Sequence, residues 1–428
     1  MLRKPRSIQR IYIYLVLGNT LAASFIWGIN TIFLLSAGLS NFQAFMANAF
    51  FTAGQVLFEI PTGIIADTWG RRVSYLLGCV TLAASTLLYL YMWHIRGPFW
   101  GWAASSALLG LGFTFFSGAL EAWLVDALHA TKFKGSLESV FSKGQIVGGA
   151  AMLTGSIAGG VIAQYTNLGV PYILRAVVLM ANFATAFFLM EDLGFQRQKM
   201  GHPLKQMKTI FISSVDNGLK NPPVRWVMIA APFATGVSFY VFYALQPFLL
   251  KLYGNPKAYG IAGLVAALVA GAQIAGGISA VHIKKLFKSR TTVLILGTFF
   301  TGLILLGVAF ANNFWLVLIL IFMWGLIFAA LSPIRQAYLN GIIPSAQRAT
   351  VLSFDSLMGS SGGIFIQPIL GRIADIWNYP LSYAGASVFQ LAAIPFLLLA
   401  KSEKAKSDII RDEKTTGQVT ESIPEAIK

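Results

Sequence analysis

The chain has 428 residues, of which 56% are hydrophobic and only 11% are charged. A soluble domain carries about 25% charged residues, so this composition excludes an ordinary soluble protein. The net charge is +16, from 32 Lys and Arg against 16 Asp and Glu. Because the basic residues sort by loop, as described below, we expect a membrane protein and no nucleic-acid partner.

Twelve apolar segments follow one another along the chain. Most run past the ~20 residues that a helix needs to cross a bilayer. They are rich in Leu, Ala, Ile, Gly and Phe without alternation, which favours helices over a β-barrel. We therefore predict an all-α membrane protein with twelve transmembrane helices, called spans 1 to 12, at roughly 10–38, 41–66, 72–93, 98–128, 139–165, 170–190, 224–250, 259–283, 291–311, 314–342, 350–376 and 381–400.

The basic residues predict the orientation of these spans. If both ends of the chain are cytoplasmic, the inner loops and termini hold 26 of the 32 Lys and Arg, and the outer loops hold 3. Cytoplasmic loops of membrane proteins carry such an excess of positive charge. We expect a multi-pass protein of the cell inner (plasma) membrane, surrounded by lipid, with cytoplasmic N- and C-termini.

A five-residue pattern, Gly-x-x-Ala-x, occurs four times, at 63–67, 160–164, 277–281 and 371–375. The first two copies lie 97 residues apart and the last two 94 apart, while the first and third are separated by 214. Such nested spacing is typical of internal repeats in transporters. Copies one and three fall at the inner ends of spans 2 and 8, and the others at the outer ends of spans 5 and 11. This predicts two pseudo-symmetric six-helix bundles, each built of inverted 3+3 repeats.

The same pattern divides the chain into an N-terminal bundle at 1–190, a cytoplasmic linker at 191–223, a C-terminal bundle at 224–400 and a disordered cytoplasmic tail at 401–428. Leu204, Met207, Phe211 and Val215 share one helical face of the linker. An amphipathic helix on the inner leaflet and a solvated connector are both consistent with that spacing.

The first copy continues as Gly63-Ile-Ile-Ala-Asp67-Thr-Trp-Gly70-Arg71-Arg72. This stretch resembles the signature between the second and third helices of the major facilitator superfamily, Gly-x-Leu-Ala-Asp-Arg-x-Gly-Arg-(Lys/Arg). Ile65 replaces its Leu and Thr68 its first Arg. The resemblance implies a twelve-helix transporter fold and secondary transport.

A second, weaker resemblance lies in span 5. Gly155-Ser-Ile-Ala-Gly159-Gly160 is similar to the Gly-Pro-x-x-Gly-Gly of drug/proton antiporters in that superfamily, with Ser156 in place of Pro. Glycines at this spacing also allow helices to approach closely, so simple helix packing is the alternative role.

The resemblance implies an inner gate around the first motif copy. Asp67 would accept backbone N–H groups at the start of span 11, and Arg71 would pair with Asp126. The alternative is a static loop that only fixes topology. The predicted gate residues are Gly63, Asp67, Gly70, Arg71, Arg72, Asp126 and Glu59.

Charged side chains inside spans are costly and call for a role. We expect Glu121 in span 4 to carry a coupling proton and to meet Arg335 of span 10, or each to meet substrate; a permanent structural ion pair is the alternative. Asp355 would stabilise the start of span 11. Arg175, Arg372 and Asp375 are placed near the outer surface, where they would form an outer latch.

By the same resemblance, spans 1, 4, 7 and 10 line the central cavity. An aromatic, sparsely polar wall suits amphipathic or weakly cationic solutes. The expected lining residues are Asn19, Trp27, Asn30, Phe113, Phe116, Phe239, Tyr243, Gln246, Trp324 and Phe328.

The remaining residues suggest neither an enzyme nor a metalloprotein. Cys79 is the only cysteine, the four His are scattered without ligand spacing, and no nucleophile–base constellation is present. We expect no cofactor, no metal and a monomer that binds a small molecule and protons. The function predicted is proton-coupled efflux of a small amphipathic solute by an antiporter, with proton-coupled uptake of a metabolite or a non-transporting sensor on the same fold as alternatives.

Overall fold

The computed structural model describes residues 4–195, 212, 215–283, 286–344 and 348–410. Within them the chain forms twelve spans, three of which consist of two consecutive helices. Their bounds, in chain order, are Pro5–Trp27 with Asn30–Ser36, Asn41–Trp69, Arg71–Ile95, Phe99–Phe116 with Ala119–Ala130, Leu137–Tyr165, Val170–Leu189, Pro222–Tyr253, Tyr259–Ile283, Arg290–Phe310, Phe314–Asn340, Arg348–Ile376, and Tyr379–Leu391 with Ile394–Ser402.

Eleven of these spans contain a helical stretch that is long and apolar enough to cross a membrane. The remaining one, Arg348–Ile376, is less apolar but has 29 residues, enough to cross at 1.5 Å per residue. The predicted all-α fold with twelve spans in two bundles is confirmed.

Local sequence explains where several spans begin and break. Ser40 and Gln43 form a capping box at the start of span 2, each side chain accepting from the other's backbone N–H. Span 4 breaks at Gly118, which has a positive φ of 68° that side-chain-bearing residues rarely adopt.

We call the end of the bundle that carries residues 5 and 402 the terminal face, and the other end the opposite face. Buried apolar clusters differ between the two. At the terminal face one cluster comes entirely from residues 8–193 and another entirely from residues 219–410. At the opposite face both clusters mix the halves: Phe45 packs among C-terminal residues, and Leu250 and Ala262 among N-terminal ones.

The glycines that open the four motif copies show the same asymmetry. At the opposite face, a Cβ on Gly160 would collide with the backbone oxygen of Tyr259, and one on Gly371 would lie 2.7 Å from the Phe45 ring. At the terminal face, a Cβ on Gly63 or Gly277 would meet nothing within 4 Å. The halves are therefore pressed together at the opposite face and parted at the terminal face.

Gly159 has a different neighbour. A Cβ there would collide with the backbone oxygen of Phe25 in span 1, so this glycine serves helix packing within its own half.

The start of the predicted tail differs from expectation. Residues 403–410 pack beside the start of span 9, where Asp408 accepts the backbone N–H of Thr291 at 2.7 Å and Ile410 donates to the Lys288 carbonyl at 3.0 Å. An acid that caps a helix start stabilises it, which explains why the chain is held there. Residues 411–428, and Leu204, Met207 and Phe211 of the linker, lie outside the described residues.

Candidate functional site

Two helix-end contacts close the opposite face. Asp375, the last residue of the fourth motif copy, accepts the backbone N–H groups of Asn41 at 2.9 Å and Phe42 at 2.8 Å, at the start of span 2. Gln164, the last residue of the second copy, accepts the N–H of Gly260 at 2.9 Å, at the start of span 8. Each contact joins one half to the other.

This is the type of contact predicted for Asp67, but it occurs at the other end of the bundle. The parted terminal face leaves Asp67 bound within its own half, where it forms an ion pair with Arg71. Arg71 Nε lies 3.9 Å from an oxygen of Asp126, so the predicted Arg71–Asp126 proximity is present. The gating role of these residues remains a prediction.

Asp192, which the sequence analysis did not single out, completes this corner. It accepts the backbone N–H of Arg72 at 2.9 Å, and a Cβ on Gly70 would collide with its carboxylate. Gly70 also has a φ of 113°, so glycine is required here for two reasons. Burial raises the pKa of Asp192, against the opposing effect of the Arg72 N–H bond and the Arg72 and Arg71 charges.

Two further predicted site acids, Glu59 and Glu121, lie around the break in span 4. Ser117 Oγ donates to Glu59 at 2.6 Å, which ties span 2 to that break. Glu121 lies in the first turn of the following helix and is exposed.

Arg335 does not meet Glu121. Its Nη1 donates to Asp355 at 2.6 Å and its Nη2 binds the other carboxylate oxygen. Both residues belong to the C-terminal half, so this partner is available whether or not the halves close. Asp355 was predicted to act as a charge at the start of span 11; it is buried within that helix and pairs with the half-buried Arg335.

A cavity of about 490 Å³ lies between the halves. Five of the predicted lining residues line it: Trp27, Asn30, Phe113, Phe239 and Tyr243. Polar residues that the sequence analysis missed also contribute, from spans 2, 8 and 11: Asn48, Gln55, Gln273 and Ser360.

The other predicted lining residues have structural partners. Gln246 bridges the halves, accepting from the Thr31 N–H at 2.9 Å and donating to the Trp27 carbonyl at 2.7 Å. Asn19 accepts from the Tyr75 hydroxyl at 3.0 Å, and Phe116 packs on the Tyr75 ring.

Span 10 contributes none of the residues that line this cavity. Phe328 stacks on the buried Trp324, with 5.3 Å between ring centroids. With Arg335 it borders a separate cavity of about 170 Å³ inside the C-terminal half.

The predicted position of Arg175 is wrong. It was placed near the outer surface, yet its side chain is 2% exposed and lines the central cavity. Arg175 is the one charged residue among those that line the cavity, and none of the lining residues is an Asp or a Glu. A cationic solute would therefore find no counter-charge on the walls formed by the described residues.

Comparisons with known proteins agree with this architecture. The sequence profile of the Major Facilitator Superfamily matches residues 13–289 and 261–426. The multidrug resistance protein MdtG of Salmonella arizonae is 26% identical over 336 residues, covering 77% of each chain. A multi-drug resistance efflux pump PmrA homolog of Lactococcus lactis is 24% identical over 353 residues, covering 79% of this chain and 82% of that protein.

Two further matches are more distant. An uncharacterized MFS-type transporter of Methanocaldococcus jannaschii is 20% identical, with the match spanning 45% of this chain and 47% of that protein. The crystal structure of the nucleoside transporter NupG superposes with a TM-score of 0.75 at 11% identity, covering 93% of this chain and 99% of that one. At that identity the likeness concerns the fold alone.

Proposed function

We propose, because this chain belongs to the Major Facilitator Superfamily, that it is a secondary active transporter that exports a small amphipathic solute in exchange for protons. The mechanism is alternating access, in which two bundles rock about a central site. The terminal face is the cytoplasmic side, as the positive-inside rule requires.

The cavity between unequally closed halves carries this proposal. It is bordered by residues of both bundles, and the seal lies on one face only. A transporter in one of its two end states has this geometry, because closing one face opens the other.

Efflux is supported by the relatives that are named for multidrug resistance. Proton coupling is assigned to Glu121, which is exposed beside the parted terminal face in this state. Closure of that face would remove the carboxylate from water on the cytoplasmic side, so the two end states differ in the side of the membrane with which Glu121 can exchange a proton.

The test of proton-coupled transport begins with a thermal-shift screen of the purified protein against drugs, nucleosides, amino acids and sugars. A stabilising compound is then followed in proteoliposomes under an imposed pH gradient. Antiport predicts accumulation when the vesicle interior is acidic, because protons leave as solute enters. Accumulation with an acidic exterior would indicate uptake by symport, and saturable binding without flux would indicate a sensor.

Glu121→Gln separates coupling from binding. The variant is expected to lose gradient-driven accumulation while it keeps solute exchange. Glu138→Gln is the matched control, since Glu138 is another exposed acid near the terminal face. Undiminished accumulation by Glu121→Gln would remove Glu121 from the coupling mechanism.

A further inference from the structure

Arg175 in span 6 is buried without an acidic partner. Its Nε donates to Thr86 Oγ1 at 3.1 Å, its Nη1 to the Ala22 carbonyl at 3.4 Å, and its guanidinium lies 5.7 Å from the Phe113 ring centroid. A guanidinium has five N–H groups, so three remain without an acceptor among the described residues. Among the described residues, no carboxylate forms an ion pair with Arg175.

An unpaired charge in this position costs folding free energy, because it is removed from water inside a membrane protein. The internal repeat shows what the packing alone requires. Residue 390 lies 215 positions after Arg175, and Thr301 lies 215 positions after Thr86. Gln390 Nε2 donates to Thr301 Oγ1 at 3.0 Å, so the C-terminal half makes the same contact with a neutral amide.

The comparison of Arg175 with Gln390 shows what the packing of the two helices requires and what it does not. The hydrogen bond between the third and sixth helix of a half does not need a charge, and Gln390 is as buried as Arg175, at 1% and 2% exposure. The positive charge at residue 175 therefore has another use, and Arg175 differs from Gln390 in lining the central cavity.

A second unpartnered donor belongs to the same cavity wall. The Tyr172 hydroxyl donates to Asn30, and Asn30 donates to the Asn48 side-chain oxygen at 3.0 Å. This leaves the Asn48 amide nitrogen buried without a hydrogen-bond partner among the described residues. Donors without acceptors favour an oxyanion over a cation.

We propose that the central cavity binds a solute with one anionic oxyacid group, such as a carboxylate, joined to an aromatic or apolar body, and that Arg175 pairs with the anionic group. The rings of Trp27, Phe239 and Tyr243 surround the apolar part. This inference rests on the proposed transport function for the fate of the solute, but binding is measured independently of transport.

The experiment uses three probes of one shape: 2-naphthoate, 2-naphthamide and 2-naphthylmethylammonium. Their affinities for the purified full-length protein are measured by isothermal titration calorimetry at fixed ionic strength. A charge-assisted hydrogen bond predicts that naphthoate binds about tenfold or more tightly than the amide. Equal affinities, or a preference for the ammonium probe, would overturn the inference without any variant.

Arg175→Gln copies the arrangement of the C-terminal half and is expected to fold and to retain the bond to Thr86. Its affinities for naphthoate and naphthamide should come within about twofold of each other, while Arg175→Lys keeps part of the carboxylate preference. Arg372→Gln is the control, since Arg372 is exposed and remote from the cavity lining. An unchanged preference in Arg175→Gln would contradict the assignment.

Two further arms of the experiment test binding of an inorganic anion and binding without transport. Replacing tetrafluoroborate, a weakly hydrogen-bonding anion, by chloride should leave the naphthoate preference intact; loss of the preference would assign the donors to an inorganic anion and overturn the inference. Naphthoate binding with no flux in proteoliposomes would refute transport and leave this inference standing. Flux of a neutral solute by a protein with no carboxylate preference would support transport and overturn this inference.

Discussion

Asp375 at the end of span 11 holds the first backbone N–H of span 2, that of Asn41, at 2.9 Å, and thereby joins the two halves at the opposite face. The same carboxylate also holds Phe42 at 2.8 Å. Asp375→Ala removes both charge-assisted bonds, which are worth about 3 kcal/mol together after solvent compensation. We expect the equilibrium to move by about 150-fold toward the state that is open at the opposite face.

Distances between spin labels measure this shift. Labels attached at His94 and Asn312 report the opposite face, and labels at Lys134 and Lys288 the terminal face, in a Cys79→Ser background. The first distance should lengthen and the second shorten. Gln164→Ala removes a single neutral bond, worth about 1 kcal/mol, and should have a smaller effect. Unchanged distance distributions in Asp375→Ala would show that the cap does not hold the seal.

Loss of the acid in the first motif copy, Asp67, should shift the equilibrium in the opposite direction to loss of Asp375. Asp67 is bound to Arg71 in the present state, and we expect it to cap the start of span 11 once the terminal face closes, as Asp375 caps span 2 at the opposite face. Asp67→Asn should therefore leave membrane insertion unchanged, favour the state parted at the terminal face and reduce solute flux. The same label pairs and a flux assay measure it. Full flux with wild-type distances would leave the motif with a topological role only.

The number and length of the helices could be predicted because the bilayer sets them. The contact predicted for Asp67 with the start of span 11 stays a prediction, while the helix-end contacts of Asp375 and Gln164 were found only in the structure. The sequence could not predict which half each motif acid binds, since that depends on which face is closed. Asp375 and Asp67 occupy equivalent positions and have different partners for this reason alone.

The placement of Arg175 was missed for a different physical reason. Arg175 was placed by its nearness to the outer end of span 6, whereas its helical face decides its surroundings: Arg175 and Asn182, seven residues further on, both lie on the buried face of this helix. The useful signal was the 215-residue offset that relates Arg175 to Gln390, which compares equivalent positions without needing periodicity. The contact between Arg335 and Asp355 escaped prediction because they lie on different helices, 20 residues apart, and the tertiary arrangement decides which of their side chains meet.

The Arg335–Asp355 pair should behave as a structural unit. Removing one partner from a buried ion pair leaves an uncompensated charge and typically costs about 3–5 kcal/mol. Asp355 is buried but the Arg335 side chain is 26% exposed, so we expect Asp355→Asn and Arg335→Gln each to lower the free energy of unfolding in mixed micelles by about 2–3 kcal/mol, below that range. The double variant should lose less than the sum, because no unpaired charge remains.

A second cycle tests the partner that the sequence suggested. Glu121→Gln and Arg335→Gln should be additive in stability, since Arg335 is bound to Asp355 and Glu121 is exposed. An interaction free energy above about 0.5 kcal/mol between them would show that the two side chains meet in a populated state.

Asp192 predicts a pH dependence of stability. Burial raises its pKa, so the folded protein binds this proton more tightly than the unfolded chain, whose aspartates titrate near 3.9. The resulting stabilisation is present below the unfolded value and is lost as the pH rises through the folded value. Asp192→Asn keeps an oxygen to accept the Arg72 N–H and cannot ionise. In thermal melts from about pH 3.5 to 7, the wild type should therefore lose more stability with rising pH than the variant.

Asp216→Asn is the control for that series, because Asp216 is an exposed acid paired with Lys220. Its pH profile should follow that of the wild type. If Asp192→Asn also follows the wild-type profile, the acid beside Gly70 does not contribute to the pH dependence. If the variant instead loses stability at every pH by a constant amount, the carboxylate acts as a hydrogen-bond acceptor whose charge state does not affect folding.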